Sequence, residues 1–149
     1  MKRDDIRAIV ELHIEQGPVL ESEQKQIGIV DSIVGIVNYE LTIQGSQNHA
    51  GTTSMSLRHD PVVAAAEFIT ESTRQMMAQA PSATLTYGAI QVFPGMQNVI
   101  ADRVNLLIDL RDGSNEELLQ DVVLLKRVLE SIERKGCLLY TSPSPRDCS

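Results

Sequence analysis

The chain reads as an α+β protein built on a ferredoxin-like unit, β-α-β-β-α, with the fourth strand missing. Three observations predict this. Two segments, Tyr39–Gln44 and Arg103–Arg111, alternate apolar and polar residues with the period of a half-buried strand. Two longer segments carry apolar residues at helical spacing behind recognisable start signals. From Tyr39 these elements run strand, helix, strand, strand, helix, the order of a split β-α-β unit.

Taken in order, Ile9–Ile14 is rich in Ile, Val and Leu and is expected to be a buried strand that ends at Gly17-Pro18. Ile27–Val37 and Tyr39–Gln44 are two β-rich runs, with Gly35 as a bend or bulge. In the second run Tyr39, Leu41 and Ile43 share a face. Asp60-Pro61 is an N-cap with proline at the first helical position. Val62, Ala66, Ile69, Thr73 and Met76 follow on one helical face, and the helix fades before Pro81. Thr84–Phe93 is a strand closed by Pro94-Gly95. In Arg103–Arg111, Val104, Leu106, Ile108 and Leu110 alternate. Ser114 and Glu117 fit a capping box. Leu118, Val122, Leu125, Leu129 and Ile132 then make the stripe of a second helix.

The chain has 149 residues, enough for one domain, and a net charge of −7. That charge argues against nucleic acid and against an anionic membrane surface as partners. No apolar run approaches the length of a membrane span. The N-terminus has no apolar signal segment, so a cytoplasmic protein is expected. Aromatic content of 3% leaves the core to Ile, Val, Leu and Ala. Both cysteines, Cys137 and Cys148, lie in the tail from Cys137 to Ser149, whose Ser/Pro-rich composition breaks with everything before it. The run C-L-L-Y-T-S-P-S-P-R-D is similar to the translation of a common sequencing adapter. Residues 136–149 are therefore expected to be non-native, the alternative being a genuine disordered tail. With the tail set aside no cysteine remains to form a disulfide or a thiolate metal site.

Two histidines stand in unusual company. His49 lies in Asn48-His49-Ala50-Gly51-Thr52-Thr53, among small and hydroxylated residues. An imidazole exchanges protons near neutral pH, and glycine lets the backbone approach a ligand. The ordinary alternative is a solvent-exposed loop histidine. His13 lies in Glu11-Leu12-His13-Ile14-Glu15-Gln16-Gly17, where a strand would put Glu11, His13 and Glu15 on one face. Polar groups so placed need water, partners or a metal, and neutral imidazole suits zinc, manganese, cobalt or nickel. A surface histidine is again the alternative. The Asn98 amide can bond a carbonyl or a carboxylate, or sit in an ordinary turn. The Arg111 fork can grip a carboxylate in bidentate fashion, or pair with Asp109 or Asp112. His59 is explained by helix entry alone.

E-L-H-I-E-Q-G, N-H-A-G-T-T, Q-N-V-I and D-L-R, in that order, resemble the amidohydrolase branch of a metallopeptidase-related family. Its members are N-carbamoyl-L-amino-acid hydrolases, ureidopropionases and allantoate amidohydrolases. The likeness covers roughly residues 9–134. It implies a metal-dependent hydrolase acting on carbon–nitrogen bonds other than peptide bonds, with two divalent metal ions in the intact enzyme. It implies that residues 1–26 end the first segment of an α/β catalytic domain and that 27–135 form a truncated lid that also dimerises. It makes His13 a metal ligand, His49 a transition-state stabiliser, Asn98 and Arg111 contacts to a small ureido acid, and Gln16 a further polar contact. The other metal ligands and the general base would lie outside this chain, which by itself is expected to be inactive. Two positions depart from the family's pattern: Ser54 and Ala101 stand where proline is usual. The alternatives are an aminoacylase or dipeptidase of the same superfamily, or a non-catalytic ferredoxin-like dimerisation module.

Overall fold

The computed structural model of the chain describes residues 6–133 and the backbone of 138–143. It divides into two compact units, Met1–Asp31 and Ser32–Ser149.

The first unit has one short helix, α1 (Val19–Ser22). The Glu15 carboxylate caps it, accepting from the N–H groups of Val19 at 2.9 Å and Leu20 at 3.0 Å. The strand expected at Ile9–Ile14 is not formed, and Val10 and Leu12 are 94% and 93% exposed. A strand needs a ladder partner for its N–H and C=O groups, and no described residue supplies one here. The run Ile27–Val37 is likewise extended only from Gly35 onward.

The second unit is ferredoxin-like. Its elements are β1 (Gly35–Gln44), β2 (Asn48–His49), a 3-10 turn (Met55–Leu57), α2 (Pro61–Gln79), β3 (Thr84–Phe93), β4 (Val99–Ile100), β5 (Arg103–Asp112), α3 (Asn115–Glu133) and β6 (Leu138–Pro143). The main sheet is antiparallel, ordered β3-β5-β1-β6. β1 and β5 pair along their whole length, from Gly35 opposite Asp112 to Gln44 opposite Arg103. Gly35 therefore opens a strand and makes no bulge. The irregularity falls instead between Tyr87 and Ala89, where Gly88 is the extra residue.

The fourth-strand position, expected to be empty, is taken by β6. It pairs with β1 from Tyr39 opposite Pro143 to Gln44 opposite Leu138. Proline is tolerated because Pro143 is the last residue of the strand, and Leu-Leu-Tyr-Thr ahead of it has high β propensity. The free edges are thus β3 and β6, not β1.

Both helices cover one face of the sheet. Leu41 and Ile43 of β1 and Val104, Leu106 and Leu110 of β5 are fully buried beneath them. Burying each such side chain stabilises the fold by about 1.5–3 kcal/mol. α2 starts as expected, with Asp60 Oδ1 accepting from the Val62 N–H at 2.9 Å and Pro61 in the first turn. Its buried face is Pro61, Ala64, Ala65, Phe68, Ser72 and Met76. The helical period is the expected one, but its phase differs by one residue, about 100° of rotation. Phe68 sets it: the one ring on this helix packs edge-on against Tyr87, and Ala64 and Ala65 let the backbone approach the sheet. In α3 the expected stripe holds, with Leu118, Val122, Leu125 and Ile132 buried and Leu129 packed beside them. Half of the capping box forms, as Ser114 Oγ accepts from the Glu117 N–H at 3.4 Å. The Ser114 N–H is satisfied by Asp112 Oδ1 at 2.9 Å.

Candidate functional site

The site is built at one end of the sheet, where β1 and β3 finish and β5 begins. A loop leaves β1 at Gly45 and returns at Asp60. Its two ends are tied: the Gly45 N–H donates to Asp102 O at 2.8 Å and the Ser46 N–H to His59 O at 2.9 Å. A Cβ on Gly45 would stand 2.1 Å from His59 O, so the closure requires glycine. His59 is exposed and serves the helix entry, as expected.

Within the loop, β2 pairs with β4, His49 opposite Val99 and Asn48 opposite Ile100. β4 belongs to the turn between β3 and β5, which is shaped by Gly95 at φ 70° and closed by the Asp102 N–H on Phe93 O at 3.0 Å. The Ala50 N–H donates to Asn98 O at 3.0 Å. The fold thus joins the two loops that carry His49 and Asn98, and both residues are exposed.

Around His49 the chain makes a tight turn. Its carbonyl accepts from the Thr53 N–H at 3.2 Å and from Thr53 Oγ1 at 2.9 Å. Its ring Nδ1 accepts from the Gly51 N–H at 3.1 Å. In the neutral ring that bond leaves the proton on Nε2, which becomes a donor. Arg58, half-buried, reaches into the same turn. Its Nη2 donates to Ala50 O at 2.6 Å and to Thr53 O at 3.0 Å, and its Nε to Thr53 O at 3.1 Å. Ala50, Arg58, Met96, Gln97, Val99 and Ala101 line a shallow, open depression beside it.

Sequence reasoning passed over Arg58. One signal was present: a cation just ahead of a helix N-terminus is disfavoured by the helix dipole, so its presence needed another cause.

Arg111 is elsewhere. It lies near the far end of β5, opposite Ile36 and Thr84, whereas the His49 and Asn98 loops adjoin Arg103. Arg111 is eight residue steps along the strand from Arg103, about 27 Å. The Arg111 fork is bidentate on Asp109, Nε to Oδ1 at 2.7 Å and Nη2 to Oδ2 at 2.9 Å. Hydrogen bonding to Asp109 and its charge raise the guanidinium pKa further. Both groups lie on the sheet face away from the helices.

In the first unit His13 Nδ1 lies 2.6 Å from Ile14 O. A carbonyl can only accept, so in the neutral ring the proton is on Nδ1 and Nε2 carries the lone pair. Gln16 is exposed, with φ at 57°. Glu15 serves the α1 cap rather than a face shared with His13. Among the described residues no group of three or more His, Cys, Asp or Glu is gathered as a metal site would need. Among them, too, no helix is long and apolar enough to cross a membrane.

Residues 32–137 match the family model described as the peptidase dimerisation domain. The chain is 44% identical over 114 residues to an N-carbamoyl-L-amino-acid amidohydrolase of Paenarthrobacter aurescens, covering 76% of this chain and 28% of that protein. It is 44% identical over 126 residues to an allantoate amidohydrolase of Bacillus subtilis strain 168, covering 83% of this chain and 31% of that one. The crystal structure of an amidase of the hydantoinase/carbamoylase family from Burkholderia multivorans superposes with a TM-score of 0.83 at 35% identity, over 88% of this chain and 32% of that one. The chain therefore spans less than a third of each of these relatives.

Proposed function

The chain belongs to the peptidase dimerisation-domain family, and from that premise we propose that it is the lid and dimerisation segment of an amidohydrolase. The complete protein would cleave the C–N bond of N-carbamoyl amino acids or of allantoate, the substrates in its relatives' names. The observation that carries the reading is the joining of the His49 and Asn98 loops, with His49 Nε2–H left exposed. A positioned imidazole N–H and a side-chain amide are donors for the oxyanion that forms when a carbonyl is attacked.

Metal ions are part of this reading, two divalent ions of Zn, Mn, Co or Ni. His13 suits one such role, because its Nδ1–H is bonded to Ile14 O and its Nε2 carries the lone pair. One imidazole does not make a binuclear centre, so the residues of this chain do not fit the group alone. The remaining donors and the general base are assigned to parts of the enzyme outside this chain. Gln16, three residues beyond His13, is kept as a polar contact on the same reading.

Arg111 is proposed as the clamp on the substrate carboxylate, which would replace Asp109 in its fork. Its distance from His49 gives this a consequence. One small ureido acid cannot touch both groups of a single lid, so a homodimer would supply His49 and Asn98 from one copy and Arg111 from the other. The test uses the complete enzyme. His49→Ala and Arg111→Ala should each lose activity on N-carbamoyl amino acids, His49→Ala by about 100- to 1,000-fold. Mixing and re-forming the two inactive variants should then restore about a quarter of wild-type activity, from one intact site in each mixed dimer. No recovery would place both residues in one chain's site, and an undiminished His49→Ala enzyme would sink the catalytic reading.

A further inference from the structure

We propose that Arg58 is a positioning residue for His49, an inference that rests on the catalytic reading of His49 for its importance but not for its geometry. The guanidinium spans the turn that follows His49. Its donors reach the carbonyls at the two ends, Ala50 and Thr53. Each of those residues also makes a second bond that fixes His49. Ala50 ties the turn to Asn98 through its N–H, and Thr53 holds the His49 carbonyl through its N–H and its hydroxyl. Between them lies Gly51, whose N–H sets the ring tautomer.

The main-chain bonds that close the turn on the His49 carbonyl are long, with Thr52 N at 3.4 Å from His49 O and Thr53 N at 3.2 Å. Arg58 supplies the shortest bond of the set, at 2.6 Å to Ala50 O. All its hydrogen bonds among the described residues go to main-chain carbonyls. Its charge is thus spent on ordering backbone, and its rigid planar fork reaches both carbonyls at once, with Nη2 on the two of them and Nε adding a second contact to Thr53 O. Removing it frees both ends of the turn. The Gly51 N–H then drifts from Nδ1, and the ring loses its preference for carrying the proton on Nε2.

The test reads the ring directly. Long-range nitrogen–proton spectra of the 15N-labelled chain report the His49 tautomer, and amide exchange reports the Gly51 N–H, in wild type, Arg58→Ala and Arg58→Lys. Wild type should show the Nε2–H form, with Nδ1 accepting. Arg58→Ala should move towards the mixture of a free histidine, with Gly51 exchanging about tenfold faster. Arg58→Lys should fall between, because lysine keeps the charge without the fork. It also serves if the alanine variant does not fold, as judged by its melting curve. Wild-type ring shifts and wild-type Gly51 protection in a folded variant of either kind overturn the proposal. Loss of the tautomer preference in Arg58→Ala, together with a His49→Ala enzyme that keeps its kcat, upholds the positioning and overturns only the catalytic reading.

Discussion

Gly51 donates its N–H to His49 Nδ1 at 3.1 Å, and a Cβ on Gly51 would stand 3.1 Å from His49 Cε1. The same residue sets the tautomer of the ring and leaves it room. Gly51→Ala should therefore displace the imidazole by a few tenths of an ångström while the loop ends stay tied. In the complete enzyme kcat should fall about tenfold with KM nearly unchanged, the pattern of a contact made only in the transition state. Steady-state kinetics on an N-carbamoyl amino acid decide it, and an equal change in KM alone would speak for a role in ground-state binding.

The core has its own anchor. Phe68 meets Tyr87 edge to face, with ring centroids 6.0 Å apart at 82°. Ser72, fully buried, bonds both the Phe68 carbonyl and the Tyr87 hydroxyl. Phe68→Ala should cost about 3–5 kcal/mol, and Tyr87→Phe about 1 kcal/mol. Denaturant titrations should separate them, and similar midpoints for the two variants would show that the ring is not the anchor.

Ser54 already has the backbone that proline imposes, with φ at −63°. Ser54→Pro should raise stability by about 0.4–1 kcal/mol, through the unfolded chain rather than through new contacts. Thermal melts of the two chains test this, and a lower melting temperature would mean that the Thr53–Ser54 step cannot accept the ring.

Two carboxylates near the start of α3 are shifted in opposite directions. The Ser114 N–H and the Ser82 hydroxyl hold Asp112 below the ordinary carboxylate range. A lowered folded pKa gives stability that is present above the unfolded pKa and is lost as pH falls through the folded value. Burial, and then the charges of Asp112 and Glu117, raise Asp121, whose Oδ2 has no hydrogen-bond partner among the described residues. A raised carboxylate has the reverse sign: stability falls as pH rises from the unfolded towards the folded pKa. Asp121→Asn should thus stabilise the chain by about 1 kcal/mol at neutral pH, and the gain should vanish well below the ordinary carboxylate pKa. A gain independent of pH would assign the effect to packing.

Removing residues 136–149 should uncover β1 along Tyr39–Gln44, where β6 now pairs. Open strand edges recruit other chains. The shortened chain should associate more readily than the parent in sedimentation at matched concentration, and a shortened chain that stays monomeric would show that β6 does not protect that edge.

Local rules made most of the second unit legible. β5 declares itself by alternation, and Asp60-Pro61 announces α2 by its capping chemistry. What the sequence could not carry was phase and distance. The α2 stripe counted from Val62 obeys the helical period, but the choice of face belongs to Phe68 and the sheet it meets. The residues Asn98 and Arg111 are 13 positions apart in sequence, yet a strand of unbroken pairing sends them to opposite ends of the sheet. Arg58 stayed hidden because its partners are carbonyls, which every residue has. The apolar run at Ile9–Ile14 has a strand's composition but no ladder to join among the described residues, and composition alone could not show that.

The bond from the Ser46 N–H to His59 O brings the chain back to where it left the sheet. Lengthening or shortening the stretch between those residues leaves the register of β1 against β5 and the first turn of α2 untouched. Architecture and loop length are thereby decoupled. The frame thus tolerates a change in the length of the stretch, while Gly45 at its doorway is required, because a Cβ there would stand 2.1 Å from His59 O.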